Sequence, residues 1–132
     1  MSRRHVFYLK KRLILMCDFD RGGFLAPEMV KRRRVVVLRV FGRIALCVPL
    51  SATEPVPLRS FHAPIAPGGY HAITVPVWAK ADTLAHVSLE RLDRVNIRGK
   101  NYTERMRDED FRRVLVAVAH ATGTVTLTPS TR

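Results

Sequence analysis

One carboxylate and four consecutive cations directly precede an apolar run in the stretch 27–38. It reads Pro-Glu-Met-Val-Lys-Arg-Arg-Arg-Val-Val-Val-Leu, so Glu28 stands three residues before the first cation, Lys31. A buried strand after the cations would hold the last of them rigidly, and fixed cations stabilise charge that develops during phosphate chemistry. The structural alternative is a solvated charge run that protects a hydrophobic strand from aggregation. These residues alone leave both interpretations open.

Histidine is the side chain that most often moves protons in catalysis near neutral pH. The chain has five, and nothing in the sequence places them together: His5, His62, His71, His86 and His120. We interpret them as surface or capping residues. There is also no C-x-x-C or H-E-x-x-H spacing, so we predict neither a metal site nor a cofactor.

The charge balance points to a polyanionic partner. The 132 residues include 23 Lys and Arg against 11 Asp and Glu, which gives a net charge of +12. Such an excess favours association with polyanions through counterion release and steering. Nucleic acid is the usual partner, although an anionic membrane surface or an acidic protein has the same electrostatics.

The hydrophobic segments predict a cytoplasmic protein that does not cross a membrane. The longest apolar run, 44–50, is far shorter than the roughly 20 residues that span a bilayer. The basic start has no long apolar segment of the kind found in signal peptides. Cys17 and Cys47 lie in strand-like runs, and we expect two buried free thiols, which suits a reducing compartment.

Short apolar runs separated by turn residues predict a mainly β protein. We expect strands over 13–19, 35–40, 44–48, 60–65, 73–78, 84–89 and 95–97. A tight turn at 41–43 joins the second and third strands, and Pro49 is expected to end the third because it lacks an N–H. The arrangement favours a small antiparallel barrel.

One helix is expected near the C-terminus. Asp108 is a suitable N-cap, and Gly123 is a suitable C-terminal stop. Between them Phe111, Val114, Leu115 and Val118 have helical spacing and should pack on the sheet. We divide the chain into a basic N-terminal arm (1–12), the barrel domain (13–121) and a C-terminal tail (122–132).

Five short motifs in a fixed order resemble the PemK/MazF family, the toxins of type II toxin–antitoxin systems. The resemblance runs from about residue 13 to about residue 121 and rests on Asp18-Phe19, Pro27-Glu28-Met29-Val30-Lys31-Arg32-Arg33, Val35-Val36-Val37-Leu38, Val48-Pro49-Leu50-Ser51 and Trp78-Ala79-Lys80-Ala81-Asp82. It implies an SH3-like barrel with a C-terminal helix that forms a homodimer. It also implies a metal-independent endoribonuclease that cleaves single-stranded RNA to 2′,3′-cyclic phosphate and 5′-OH ends, blocked by an acidic antitoxin protein.

The resemblance also implies roles for individual residues. Arg33 matches an arginine described as catalytic acid and transition-state stabiliser, and Ser51 matches a residue that contacts the scissile phosphate. Glu28 lies near a loop glutamate that serves as base in some members, while Lys80 and Asp82 match a basic-x-Asp pair that some members use as acid and base. The structural alternatives are an arginine that flanks a strand, a serine that caps a turn and an exposed ion pair.

Further residues are candidates for RNA binding. Lys31, Arg32 and Arg34 belong to the cationic run and would contact phosphates. Phe61 and Tyr70, in an irregular region with Arg59, are candidates for stacking on bases, and we expect Trp78 in the core instead.

The sequence departs from the family pattern in three places. Arg34 stands where the signature has proline, Lys80 replaces an arginine found in some members, and the turn at 41–43 is short. Two rival functions therefore stay open: a non-cleaving toxin of the same fold that acts on gyrase, as CcdB-type toxins do, and an RNA-binding module that has lost its active site.

Overall fold

The computed structural model describes residues 10–19 and 32–123. These ranges contain ten strands, two 3-10 turns (Ala81–Thr83 and Leu89–Arg91) and one α-helix, α1 (Asp108–Thr122). The strands are β1 (Leu13–Asp18), β2 (Arg32–Phe41), β3 (Ile44–Ser51), β4 (His62–Ile65), β5 (Val77–Lys80), β6 (Ala85–Ser88), β7 (Leu92–Asp93), β8 (Val95–Ile97), β9 (Lys100–Tyr102) and β10 (Glu104–Arg105). Most of the expected N-terminal arm and tail lies outside the described residues.

Eight strands form one antiparallel sheet in the order β10-β1-β2-β3-β5-β4, with β6 paired to β3 and β7 paired to β1. A separate hairpin joins β8 to β9. The expected mainly β fold with a C-terminal helix is confirmed. Within residues 10–19 and 32–123, however, no pairing links β4 to β10, so hydrogen bonds do not close the sheet into the expected barrel.

The central strand β2 is longer than its apolar residues predict. It begins at Arg32, three residues before Val35, and its cations pair with β1 through Asp18, Cys17 and Met16. Pairing with β1 extends β2 through the cations, because the backbone hydrogen bonds of a sheet do not depend on the type of side chain. The last cations of the run are thereby fixed within the sheet.

The two faces of β2 contribute to two core layers. Val36 and Leu38 belong to a first layer that also includes residues of β4, β5 and α1, whereas Val35 and Val37 belong to a second layer with residues of β1 and β6. A strand buried on both faces has a continuous apolar sequence, as this one does. Cys17 and Cys47 lie in the second layer as buried free thiols, as expected.

Two strand predictions are wrong. Pro49 does not end β3; it pairs with Val35, and β3 continues to Ser51. On its other edge, β3 pairs with β6 up to Cys47 and with β5 from Leu50 onward. Pro49 lies between these two pairings and therefore interrupts neither. The strand expected over 73–78 begins only at Val77, directly after Pro76, which has no N–H for the sheet.

Helix α1 packs on the first core layer through Phe111, Val114 and Val118, as expected, but not through Leu115. Phe111, Val114 and Ala117 are buried, but Leu115 is 44% exposed and lies at the edge of the stripe. The N-cap is Arg107 rather than Asp108, which is the first helical residue. Gly123 ends the helix at φ +73°, as expected, and no described helix is long and apolar enough to span a bilayer.

Candidate active site

The cations at the start of β2 are divided between the two faces of the sheet. Successive side chains of a strand point to opposite faces, so Arg33 faces away from Arg32 and Arg34. Arg33 pairs with Cys17 of the second core layer, whereas Arg34 pairs with Leu50 of the first layer. The run therefore makes two separate cationic positions.

Arg33 lies in one cross-strand row with Ser51 and Trp78. Arg34 pairs with Leu50, so one residue further along each strand places Arg33 beside Ser51. Ser51 in turn pairs with Trp78 of β5. The register thus brings two predicted catalytic residues, which are 18 positions apart in sequence, to the same end of the sheet.

The Arg33 guanidinium contributes an unsatisfied donor to this row. Its Nε is buried and has no hydrogen-bond partner among the described residues. A buried donor without an acceptor costs roughly 1–3 kcal/mol, so few such groups persist in folded proteins. An anionic oxygen at this position would satisfy it.

The Ser51 hydroxyl is engaged in the turn after β3. The residue is only 5% exposed. Its Oγ accepts a hydrogen bond from the Thr53 N–H at 3.1 Å and lies 3.3 Å from the Thr53 carbonyl oxygen, to which it donates. These contacts are those of the structural alternative, a serine that caps a turn.

Lys80 and Asp82 lie next to His62, which the sequence did not single out. Lys80 ends β5 and pairs with His62 of β4. The Asp82 Oδ1 atom lies 3.5 Å from His62 Nε2, while His62 Nδ1 accepts a hydrogen bond from the Arg59 N–H at 3.0 Å. Because Nδ1 is an acceptor, the neutral ring carries its proton on Nε2, toward Asp82. No Lys80–Asp82 ion pair occurs among the described side chains.

Lys80 shares a face of the sheet with the Arg33 row. It follows Trp78 by two positions on β5, and residues two apart on a strand point the same way. Two strand spacings and two residues along the strand separate the backbones of Arg33 and Lys80 by roughly 12 Å. Their long side chains could both reach one nucleotide of a bound polymer.

Two predicted site residues, Glu28 and Lys31, lie outside the described residues. Within the described part of the chain, no group of three or more His, Cys, Asp or Glu side chains is arranged to hold a metal ion.

The sequence comparison identifies the family. The family model for "PemK-like, MazF-like toxin of type II toxin-antitoxin system" matches residues 10–122. The chain belongs to this family. Comparison with curated proteins gives no match.

Solved structures of an endoribonuclease and of two MazF proteins have the same fold as this chain. An endoribonuclease from a mycobacterial species, solved with its cognate antitoxin, has a TM-score of 0.65 at 14% identity, covering 91% of this chain and all of that one. MazF from Deinococcus radiodurans has a TM-score of 0.67 at 13% identity, with coverages of 89% and 98%. The Mycobacterium tuberculosis toxin MazF-mt6 has a TM-score of 0.60 at 13% identity, with coverages of 85% and 97%.

Arg34, which replaces the proline of the PemK/MazF signature, does not loosen the start of the strand. β2 begins two residues earlier, and Arg34 pairs with Met16 on one side and Leu50 on the other. Its side chain donates from Nε to the Ala72 carbonyl oxygen at 2.6 Å. Burial lowers the pKa of Arg34 from its ordinary value.

The predicted base-stacking residues have contacts within the chain. Phe61 is half-buried against the first core layer and meets His62 edge-on, with 4.7 Å between ring centroids. The Tyr70 hydroxyl donates to Asp110 at 2.6 Å and accepts the Arg107 N–H at 2.8 Å, and the Arg107 guanidinium covers its ring. Arg59 is exposed. The Tyr70 contacts anchor the start of α1, and we leave Tyr70 out of the site proposed below.

Proposed function

We propose that this PemK/MazF-family chain is a metal-independent endoribonuclease toxin that cleaves single-stranded RNA at a short sequence. The observation that carries the proposal is the buried Arg33 Nε, which lacks an acceptor among the described residues and lies beside Ser51. Family membership and the endoribonucleases with the same fold support it. The net charge of +12 suits a polyanionic substrate.

The proposed reaction is attack by a ribose 2′-oxygen on the adjacent phosphorus. A base removes the 2′-OH proton, the bond from phosphorus to the 5′-oxygen breaks, and an acid protonates that oxygen as it leaves. The products are a 2′,3′-cyclic phosphate and a 5′-OH. Arg33 stabilises the extra negative charge on the phosphoryl oxygens and donates the proton.

The base is either Glu28 or Asp82. Asp82 has 40% of its side chain exposed, and the His62 ring beside it fixes its orientation. Lys80, on the same face as Trp78 and Ser51, contributes a second cation. Ser51 holds the turn after β3 and contacts the scissile phosphate when its bond to Thr53 opens.

We propose an acidic antitoxin protein and a second copy of the chain as partners, in the cytoplasm. The mycobacterial endoribonuclease was solved with its cognate antitoxin, and an acidic segment is complementary to the charge of this chain. The buried free thiols Cys17 and Cys47 fit a reducing compartment.

The engaged Ser51 hydroxyl favours one alternative, an RNA-binding protein that does not cleave. That alternative predicts salt-sensitive RNA binding without product formation.

A direct test uses a long single-stranded RNA in EDTA with the wild type, Arg33→Ala and the control Arg112→Ala, an exposed arginine of α1. We expect cleavage by the wild type and the control but not by Arg33→Ala, with cyclic phosphate and 5′-OH ends on the products. Binding by all three without cleavage by any would favour the non-cleaving alternative.

A further inference from the structure

A cavity of about 100 Å³ lies at the start of β2. Its lining includes three consecutive arginines, 32–34, together with Ile73, Val75 and Val77. A cavity of this volume has room for one small anion such as a phosphate group. The cavity therefore adjoins the proposed active site through Arg33, whereas Arg32 and Arg34 have no catalytic role in that proposal.

Arg34 presents free donors at this cavity. Its Nε–H is bound to the Ala72 carbonyl oxygen at 2.6 Å, and its terminal nitrogens bond to none of the described residues. The side chain is half-buried, and burial lowers the pKa of Arg34 because it disfavours the charged form. A guanidinium held in this way gains most from an anion that accepts two parallel N–H bonds.

The far wall of the cavity is fixed before any ligand binds. The His71 and Ala72 N–H groups donate to the Glu104 carboxylate, at 2.9 and 2.7 Å from its Oε1. Arg34 holds the carbonyl of the same Ala72, so that residue is bound at both its N–H and its carbonyl. Ile73, next in sequence, is buried, whereas Val75 is 48% exposed at the rim. A preorganised wall lowers the entropic cost of binding.

We propose that this cavity is a phosphate subsite for the RNA nucleotide beside the cleaved linkage, bound by Arg34 and Arg32, with the ribose against Val75. The assignment rests on the proposed function. Arg33 and Arg34 are consecutive in β2 and both line the cavity, so a strand of RNA that crosses the start of β2 would bring neighbouring phosphates to the two arginines. The subsite fixes the register of the RNA on the protein rather than performing chemistry.

The test measures binding of a short single-stranded RNA that cannot be cleaved because the sugar at the cleavage position is 2′-deoxy. Each linkage in turn is replaced by a neutral methylphosphonate. For the wild type, we expect one linkage next to the cleavage position to weaken binding by about ten- to a hundredfold, as for a hydrogen bond to a charged group. Arg34→Gln should lose a similar factor with the unmodified RNA and should no longer respond to that methylphosphonate.

Two further variants keep the test independent of folding. Arg32→Gln changes an exposed residue. It should weaken RNA binding less than Arg34→Gln does, and its binding should likewise no longer respond to that methylphosphonate. Arg112→Gln, which removes the same charge from α1, should bind as the wild type does. Circular dichroism of each variant confirms that it is folded.

The outcomes separate the subsite from the nuclease. Sensitivity that Arg34→Gln and Arg32→Gln both retain in full would overturn the subsite, even if the wild type cleaves RNA. If the variants lose the response to the methylphosphonate but the wild type does not cleave ordinary RNA, the subsite is supported and the endoribonuclease is refuted. An absence of RNA binding would overturn both.

Discussion

Replacing Arg33 by methionine should strongly slow cleavage while making the fold more stable. The buried Nε has no acceptor among the described residues, and such a donor costs roughly 1–3 kcal/mol. Methionine keeps most of the unbranched stem and removes the donor. Allowing for lost contacts of the guanidinium, we expect a gain of about 1 kcal/mol in the free energy of unfolding, which raises Tm by roughly 4 °C in a domain of this size.

The loss of activity should be much larger. Removing one preorganised donor that stabilises developing charge typically lowers kcat by about 10²- to 10³-fold. The assay pairs urea unfolding with single-turnover cleavage of one RNA. Arg112→Met is the matched control because it removes the same group from an exposed site; its stability should change by less than about 0.5 kcal/mol and its cleavage rate should not change.

Two results would refute this reasoning about Arg33. Destabilisation by more than about 1 kcal/mol would mean that the guanidinium is satisfied in the folded protein and holds it together. Unchanged cleavage by a folded Arg33→Met protein would remove Arg33 from the chemistry, whatever the stability shows.

Three further predictions concern α1 and its anchor. Tyr70→Phe loses the hydrogen bond to Asp110 and leaves polar groups unpaired. It should destabilise the protein by about 1–3 kcal/mol in urea unfolding and leave RNA affinity unchanged. Weaker RNA binding by this variant would return Tyr70 to the RNA interface. The pKa of Asp110 is lowered because, although burial raises it, hydrogen bonds from Tyr70 and an arginine outweigh that effect. The stabilising contribution of the Asp110 carboxylate is therefore complete above its unfolded-state pKa and declines as pH falls through its folded-state pKa. Below about pH 4, the free energy of unfolding of Asp110→Asn should therefore depend less on pH than that of the wild type. An identical pH profile for the two proteins would contradict this. Val114→Ala should cost about 2 kcal/mol and Leu115→Ala less than about 0.5 kcal/mol, because only Val114 is buried; equal losses would restore Leu115 to the core.

Local patterns predicted the elements that bury both faces and misjudged those that line a cavity. The apolar runs of β2 and β3 predicted strands correctly because most of their side chains are buried in one core layer or the other, although Phe41 and Ile44 at the turn between them are exposed. Ile73 and Val75 are equally strand-like, yet they form the wall of a cavity beside Pro76 and join no strand. Sequence alone does not distinguish an apolar residue in a sheet from one that faces a pocket.

Long-range register explains the other differences. Ser51 and Trp78 lie beside Arg33 because β3 pairs with β2 and β5, and no local pattern specifies those pairings. His62 lies beside Asp82 for the same reason, since β4 pairs with β5 in a register that matches His62 with Lys80. The motifs named candidates, but only the sheet determines which candidates meet.

The division of the cationic run has a consequence for how charge is used in this chain. Consecutive arginines on a loop would compete for one phosphate and repel one another. On β2 the strand geometry points Arg33 and Arg34 to opposite faces at their Cβ atoms, so their mutual repulsion is reduced, although both line the same cavity. Arg33 has an unsatisfied buried donor, whereas Arg34 is tethered to Ala72 through its Nε. A strand that begins within a charge run therefore gives neighbouring cations different roles, one suited to a reacting phosphate and one to holding the next phosphate along the RNA.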